Sequence, residues 1–240
     1  MVDIHTHLLF GVDDGPETLE ESIEMIRAGM DLGFDEFYLT SHYNKGKFQN
    51  KNYEKNYEIL KKRCVELGLG VKLHKGNEVY LDENIDIVLK EKKFNVISGK
   101  FLLVEFSPLT LPSVGKHLIK KVLKEGFVPI LAHVERYNHF SGSDLVELKK
   151  LGGKLQVNIG GEKPKYIVRL LKDGYIYFLG SDAHGVEKRA YTAGDSLKYI
   201  KKTKKFNDSK EEDMGNEKKQ PVSRAFNTFF RSLLSGTWIG

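Results

Sequence analysis

Asp3-Ile4-His5-Thr6-His7 sets two imidazoles one residue apart at the end of a β-rich run, Val2 to Ile4. Alternate side chains of a strand share a face, so His5 and His7 point to the same side and both can ligate one metal ion. Such a pair also occurs as plain strand structure, so its meaning depends on the rest of the chain. Short β-rich runs alternate with longer amphipathic segments as far as about residue 197, the pattern of βα units around a parallel sheet. The further candidate strands are Phe34 to Thr40, Val71 to Val79, Phe101 to Phe106, Val128 to Ala132, Lys154 to Ile159 and Tyr175 to Leu179, about seven in all.

Between the first two runs, Leu19, Ile23, Ile26 and Met30 recur at helical spacing, with Pro16 at the expected helix start and Gly33 just past its end. Similar helices are predicted over Tyr53 to Leu67, Val114 to Glu125, Asp144 to Leu151, Lys165 to Lys172 and Lys188 to Ile200. Periodicity leaves a closed barrel and an open doubly wound sheet equally available.

Potential ligands recur at the ends of the later strands. Asp13 and Asp14 follow the first, His42 the second, Glu78 the third, Glu105 the fourth and His133 the fifth, while Asp182 and His184 follow the seventh. The run Lys154 to Ile159 contributes none. In parallel βα architectures the C-terminal strand ends converge on one functional face. Carboxylates gathered there repel one another unless cations compensate them. Histidines mixed with carboxylates, without cysteine, suit Mn²⁺, Fe²⁺ or Zn²⁺. So many donors exceed one ion's needs, which points to a bi- or trinuclear centre with Glu78 or another carboxylate as bridge.

Adjacent divalent ions suit hydrolysis of phosphate esters, because they activate water and offset charge on the phosphoryl and leaving oxygens. Arg136 and Arg189 follow His133 and His184 closely and would reach the same rim as bidentate phosphate grips. Ordinary surface arginines are the alternative. His74, His117 and His139 lack such placement and read as structural or solvent-facing, and Glu135 and Glu187 as solvated acids. Cys64, the single cysteine, excludes an intramolecular disulfide framework. Its neighbours Leu60, Val65 and Leu67 suggest a buried structural thiol.

The formal charge is +5 over 240 residues, with a composition 40% apolar, which rules out disorder of the whole chain. The charge is not spread evenly. Up to residue 197 the count balances at 28 basic against 28 acidic residues, so the whole excess lies in residues 198–240. Residues 201–220 read as a charged linker or loop and residues 221–240 as an atypical C-terminal segment beyond a catalytic domain over residues 1–200. In that segment Val222, Phe226, Phe229, Phe230 and Leu233 would share one side of a short helix. No apolar run approaches the ~20 residues of a membrane span, and no export signal is readable, so a cytoplasmic protein without stable membrane insertion is expected.

Taken in order, the motifs resemble the polymerase and histidinol phosphatase (PHP) superfamily, and within it the bacterial metal-dependent tyrosine-protein phosphatases of capsule and exopolysaccharide synthesis. The resemblance is carried by the opening stretch from Asp3 through Asp13-Asp14-Gly15-Pro16 and by Thr40-Ser41-His42-Tyr43 and Gly76-Asn77-Glu78-Val79. It continues through Val104-Glu105-Phe106, Ala132-His133-Val134-Glu135-Arg136 and Gly180-Ser181-Asp182-Ala183-His184, and covers residues 1 to about 195. It implies an α/β fold, a distorted seven-stranded (β/α) TIM-like barrel, with a trinuclear and usually manganese-loaded site.

By motif position, the resemblance places His5, His7, Glu78 and Asp182 on one ion and Glu78, Glu105 and His133 on a second. His42, His184 and an aspartate, Asp13 or Asp14 with Asp14 preferred, would hold a third. It makes Arg136 and Arg189 the phosphate-binding arginines. The implied substrate is a phosphotyrosine protein, notably an autophosphorylating bacterial tyrosine kinase, attacked in line by a metal-bridging hydroxide without a cysteinyl-phosphate. Competing readings are a histidinol-phosphate or other small phosphomonoester phosphatase, a metal-dependent nuclease or amidohydrolase, and a non-enzymatic adaptor using the basic terminus. The localised charge argues against a nucleic-acid partner, and self-association stays open.

Overall fold

Residues 1–191 apart from residue 162 are described by the computed structural model of this chain. The elements run β1 (Val2–Thr6), α1 (Leu19–Asp31), β2 (Glu36–Leu39), β3 (His42–Tyr43), α2 (Tyr53–Glu66), β4 (Lys72–Lys75), β5 (Glu78–Tyr80) and α3 (Ile85–Glu91). They continue with β6 (Phe101–Glu105), α4 (Pro112–Lys124), β7 (Val128–Leu131), a 3-10 turn (Val134–Arg136), α5 (Gly142–Lys150), β8 (Lys154–Asn158), α6 (Lys165–Lys172) and β9 (Phe178–Gly180).

All ladders between these strands are parallel, in the orders β1-β2-β4 and β3-β5-β6-β7-β8-β9. The first strand meets the end of the last: Asp182 N–H donates to His5 O at 2.8 Å and His7 N–H to Ala183 O at 2.9 Å. The result is a parallel sheet curled around its own inner face. Period-two alternation explains what fills it. On β6, Phe101 and Leu103 pack inward with Ile130 and Phe178, while Leu102 and Val104 join the cluster beneath the helices.

One expected strand is divided in two, and another is followed at once by an unexpected short strand. The ladder changes partner at Thr40-Ser41 and at Gly76-Asn77, so Phe34 to Thr40 becomes β2 with β3 beyond it, and Val71 to Val79 becomes β4 and β5. At this crossing a Cβ on Gly76 would stand 2.8 Å from Thr40 Cγ2, too close for any side chain. The gain is register: β3 and β5 place His42 directly beside Glu78.

Helix boundaries follow their caps. Helix α1 begins after Thr18, whose hydroxyl accepts from Glu21 N–H, and not at Pro16 as expected; Gly33 ends it at φ +93. Ser141 starts α5 with a capping box. Helix α3, absent from the sequence reading, is a short segment held by buried Ile85, Val88 and Leu89. Cys64 is buried, and burial pushes its thiol up to about 11; Leu60 shares that core, whereas Val65 faces solvent. The helix expected from Lys188 is turn and irregular backbone as far as Tyr191. The rest of that helix, the linker and the C-terminal segment lie outside the described residues. Among the described residues, no helix is long and apolar enough to cross a membrane.

Candidate metal centre

The C-terminal ends of the strands deliver a single cluster of histidines and carboxylates. Three donor groups have ligand atoms within 4.8 Å of one another: His5, His7, Glu78 and Asp182; His7, Asp14, His42 and His184; and His42, Glu78 and Glu105. His133 Nε2 joins them at 3.0 Å from Glu78 Oε1 and 3.4 Å from Glu105 Oε2. Glu78 is central, with its Oε2 3.3 Å from both His5 and His7 and 3.1 Å from His42 Nδ1.

Alternation alone does not aim these side chains. Ile4 packs inside the sheet with Leu103, Ile130 and Phe178, yet His5, the next residue, also faces inward onto Glu78. The β1 to β2 register shifts between Asp3 and Thr6, and this irregularity lets successive residues share the enclosed side. His133 at φ 32 and Asp182 at φ 56 leave their strands in the left-handed region, which turns each side chain back over the cluster.

Around the cluster runs a shell of buried polar residues, most of which the strand-end pattern did not reveal. Asp13, not Asp14, binds His7: its Oδ2 accepts from His7 Nδ1 at 2.7 Å and from His42 N–H at 2.8 Å, and its Oδ1 from Gly15 N–H at 3.0 Å. Asp14 stands half-exposed, with Oδ1 3.3 Å from His42 Nε2 and 3.5 Å from His184 Nε2. Strand β8 contributes no donor to the cluster, as expected, but it orients those that do. Gln156 Oε1 lies 3.2 Å from His5 Nδ1 and accepts from His133 N–H at 2.7 Å. Gln156 Nε2 donates to Asn158 Oδ1, and Asn158 Nδ2 donates to Asp182 at 3.0 Å. Two uncharged polar residues, Gln156 and Asn158, alternating with Leu155 and Val157 in a strand of the sheet were the available signal.

Glu135 is not the solvated acid expected. It accepts from Asn158 N–H at 2.9 Å and pairs with the nearly buried Lys163 at 3.5 Å, fixing the turn that carries Arg136. Asp3, buried within the first strand, accepts from Ser181 N–H and from the Tyr191 hydroxyl, each at 3.0 Å. Burial pushes the Asp3 carboxyl up to about 6 against these hydrogen bonds.

The electrostatics ask for cations. Burial alone would favour neutral groups, yet Asp13 and Glu78 lift His7 to about 9, and Glu105 and Glu78 lift His42 to about 11 and His133 to about 10. His5, His7 and His133 in turn hold Asp182 well below the usual carboxylate range despite its burial. The donors also include unpartnered atoms: Glu78 Oε2, His133 Nδ1 and His184 Nε2 are buried without a hydrogen bond. Borderline divalent ions fit this donor set. A raised imidazole pKa means that the ring nitrogen holds its proton until pH rises past that value, and an ion must displace it. Metal affinity is therefore expected to climb with pH through the neutral range towards about 9, the His7 value. Calorimetric titration with Mn²⁺ in two buffers of different ionisation enthalpy should detect proton release at pH 7.5 that shrinks at higher pH; an unchanged proton count would contradict this.

Replacing Asp13 with Asn should weaken Mn²⁺ binding about 10–100-fold, as loss of an orienting carboxylate does elsewhere. An amide cannot accept from His7, His42 and Gly15 together without presenting a donor to one of them. Equilibrium dialysis of the full chain measures the loss.

Both arginines anticipated at the rim are there. Arg136 reaches Asp182 Oδ2 at 2.6 Å and Arg189 reaches Asp182 Oδ1 at 2.8 Å, each side chain about two-fifths exposed at 40% and 41%. They clasp one carboxylate from opposite oxygens while keeping other N–H donors towards solvent. His74 pairs with Glu36 and stacks on Tyr38, and His117, His139 and Glu187 are exposed. None of these joins the cluster.

Residues 1–220 match the family of capsular polysaccharide synthesis proteins CpsB/CapC. The chain belongs to the CpsB/CapC family. Among CpsB/CapC relatives, tyrosine-protein phosphatase CpsB of Streptococcus agalactiae serotype III is 30% identical over 217 residues, 83% of this chain and 89% of that protein. Tyrosine-protein phosphatase YwqE of Bacillus subtilis is 28% identical over 214 residues, 84% of each chain. In three dimensions the CpsB/CapC chain resembles one from the crystal structures of YwqE from Bacillus subtilis and CpsB from Streptococcus pneumoniae, unique metal-dependent tyrosine phosphatases. That likeness has a TM-score of 0.81 and 24% identity, and covers 100% of this chain and 96% of the other. The resemblance read from the motifs is borne out at the level of the family.

Proposed function

We propose that this chain is a metal-dependent protein-tyrosine phosphatase of capsule or exopolysaccharide synthesis, working in the cytoplasm on a phosphorylated bacterial tyrosine kinase. The observation that carries the reading is the juxtaposition of a buried His/carboxylate cluster with two guanidinium groups at its open rim, in a chain similar to proteins named tyrosine phosphatases. Taking β2 with β3 and β4 with β5 as single positions supports the reading of a distorted seven-stranded (β/α) barrel, and residues 1–200 would form the catalytic domain.

His5, His7, Glu78 and Asp182 would hold one ion, Glu78, Glu105 and His133 a second, and Asp14, His42 and His184 a third, with Mn²⁺ expected and Fe or Zn compatible. When bound, these ions supply Lewis acidity and activate water for attack on phosphorus. The chain's own part is to bind and orient. Arg136 and Arg189 grip the phosphoryl oxygens with N–H donors not used on Asp182, aligning the ester over the cluster. Asp182 fixes both guanidiniums in advance, so little side-chain freedom is lost on binding. A phenolate, with a pKa of about 10, leaves with less protonation than an alkoxide requires. Cys64, on the buried face of α2 with its thiol held protonated, is in no position to form a cysteinyl-phosphate.

Steady-state turnover of a phosphotyrosine peptide and of histidinol phosphate, with Mn²⁺ and with chelator, tests the reading. It expects Mn²⁺-dependent hydrolysis with the higher kcat/KM on phosphotyrosine. Full activity in chelator defeats it, and a preference for histidinol phosphate transfers the assignment to a small phosphomonoester.

A further inference from the structure

The exposure of the cluster is graded, and the gradient locates its mouth. His5, His7 and Glu78 side chains are fully buried at 0% exposed, whereas His42 and Glu105 stand at 17%, Arg136 at 40% and Asp14 at 54%. A phosphate ester must therefore enter past His42, and its organic group must stay on that side.

An aromatic ring stands beside His42. Phe48 lies nearly parallel to the His42 ring, centroids 5.7 Å apart and planes 19° apart. It is only partly buried, unlike Tyr137 and Phe106, which sit at 1% exposure beneath the site. A tight turn presents it: Asn44 N–H donates to Phe48 O at 2.8 Å, Phe48 N–H returns to Asn44 O at 3.1 Å, and Gly46 at φ +96 makes the reversal. A cation also lies over the ring. The ammonium of Lys47, itself exposed, rests 4.7 Å from the ring centroid. An exposed ammonium on a flexible stem is a weakly held occupant that an arriving ring can displace.

We infer that Phe48 is the specificity residue for the aryl group, offering its ring to the phenyl of the substrate while the phosphate engages the arginines and the cluster. This deepens the phosphotyrosine reading and rests on it. Aromatic rings attract one another in offset or edge contacts beyond the area that they bury. A serine or threonine phosphate has no ring to use there.

The test measures binding and not turnover. The full-length, Mn²⁺-loaded chain is titrated calorimetrically with phenylphosphonate and with methylphosphonate, neither of which is hydrolysed. Wild type is expected to prefer phenylphosphonate by about tenfold or more. In Phe48→Leu, which keeps an apolar side chain against His42, the preference should fall to within about threefold, and in Phe48→Tyr it should persist. Equal weakening of both phosphonates in Phe48→Leu, with lower Mn²⁺ content, would assign the ring to holding His42 and overturn the inference. So would an undiminished preference, or its absence from wild type. A phenyl preference that depends on Phe48, in a chain that fails to turn over phosphotyrosine peptide, would instead defeat the proposed function and leave the aryl subsite standing.

Discussion

Glu78→Gln is expected to leave a chain with under about a tenth of the wild-type manganese and at least about 10³-fold slower hydrolysis of phosphotyrosine peptide. Four histidines of the cluster surround its two oxygens. Oε1 lies 3.0 Å from His133 and Oε2 within 3.3 Å of His5, His7 and His42, in a site with no solvent access to the carboxylate. The substitution removes the central negative charge and turns one oxygen into an N–H₂ group facing imidazole nitrogens. Breaking a buried charged contact by changing one partner costs about 3–5 kcal/mol, which is a factor of about 10²–10⁴. Elemental analysis after gel filtration gives the metal content, and steady-state kinetics gives the rate. A variant that retained most of both would remove Glu78 from the centre of the site.

Gly180→Ala should destabilise the fold by about 3 kcal/mol, the upper end of overpacking costs, and weaken Mn²⁺ binding by about 10–100-fold. A Cβ there would stand 2.4 Å from His5 Cβ, 3.3 Å from His5 Cα and 3.0 Å from Gln156 Nε2. Backbone hydrogen bonds from Asp182 to His5 and from His7 to Ala183 tie the two strands at this level, so neither can step aside. The clash therefore falls on a ligand of the cluster and on the amide that orients it. Gly126→Ala is the control: it has φ +85 but open space around it, so it should cost only about 1 kcal/mol through backbone conformation and leave metal binding intact. Urea denaturation and Mn²⁺ titration of both variants decide the matter. Equal losses of stability with full metal affinity in both would refute the packing argument.

The clustered histidines and carboxylates were legible because they lie at the C-terminal ends of parallel strands, which converge on one face and where the βα rhythm can be counted even when boundaries are uncertain. His5, His42, Glu78, Glu105, His133, Asp182 and His184 each follow or close a β-rich run, and the structure gathers them. What orients them was not legible. Asp13 and Asp14 are adjacent and chemically identical, and only the path of the loop shows one buried against His7 and the other exposed beside His42 and His184. Gln156 and Asn158 lack any motif, since an amide that positions a ligand resembles an amide that satisfies a backbone. Glu135 read as a surface acid because its partner, Lys163, belongs to another loop.

By itself, the sequence determined the class of the fold, the family and which histidines and carboxylates meet, because hydrophobic periodicity and the spacing of those residues are local properties. It also confined the basic excess to residues 198–240. Tertiary structure alone decided the rest. The register shift that turns His5 inward beside Ile4, the partner change that sets His42 against Glu78, and the shared clasp of Arg136 and Arg189 on Asp182 all join residues distant in the chain. Their geometry depends on how parallel strands meet around a curled inner face, and no local pattern encodes that meeting.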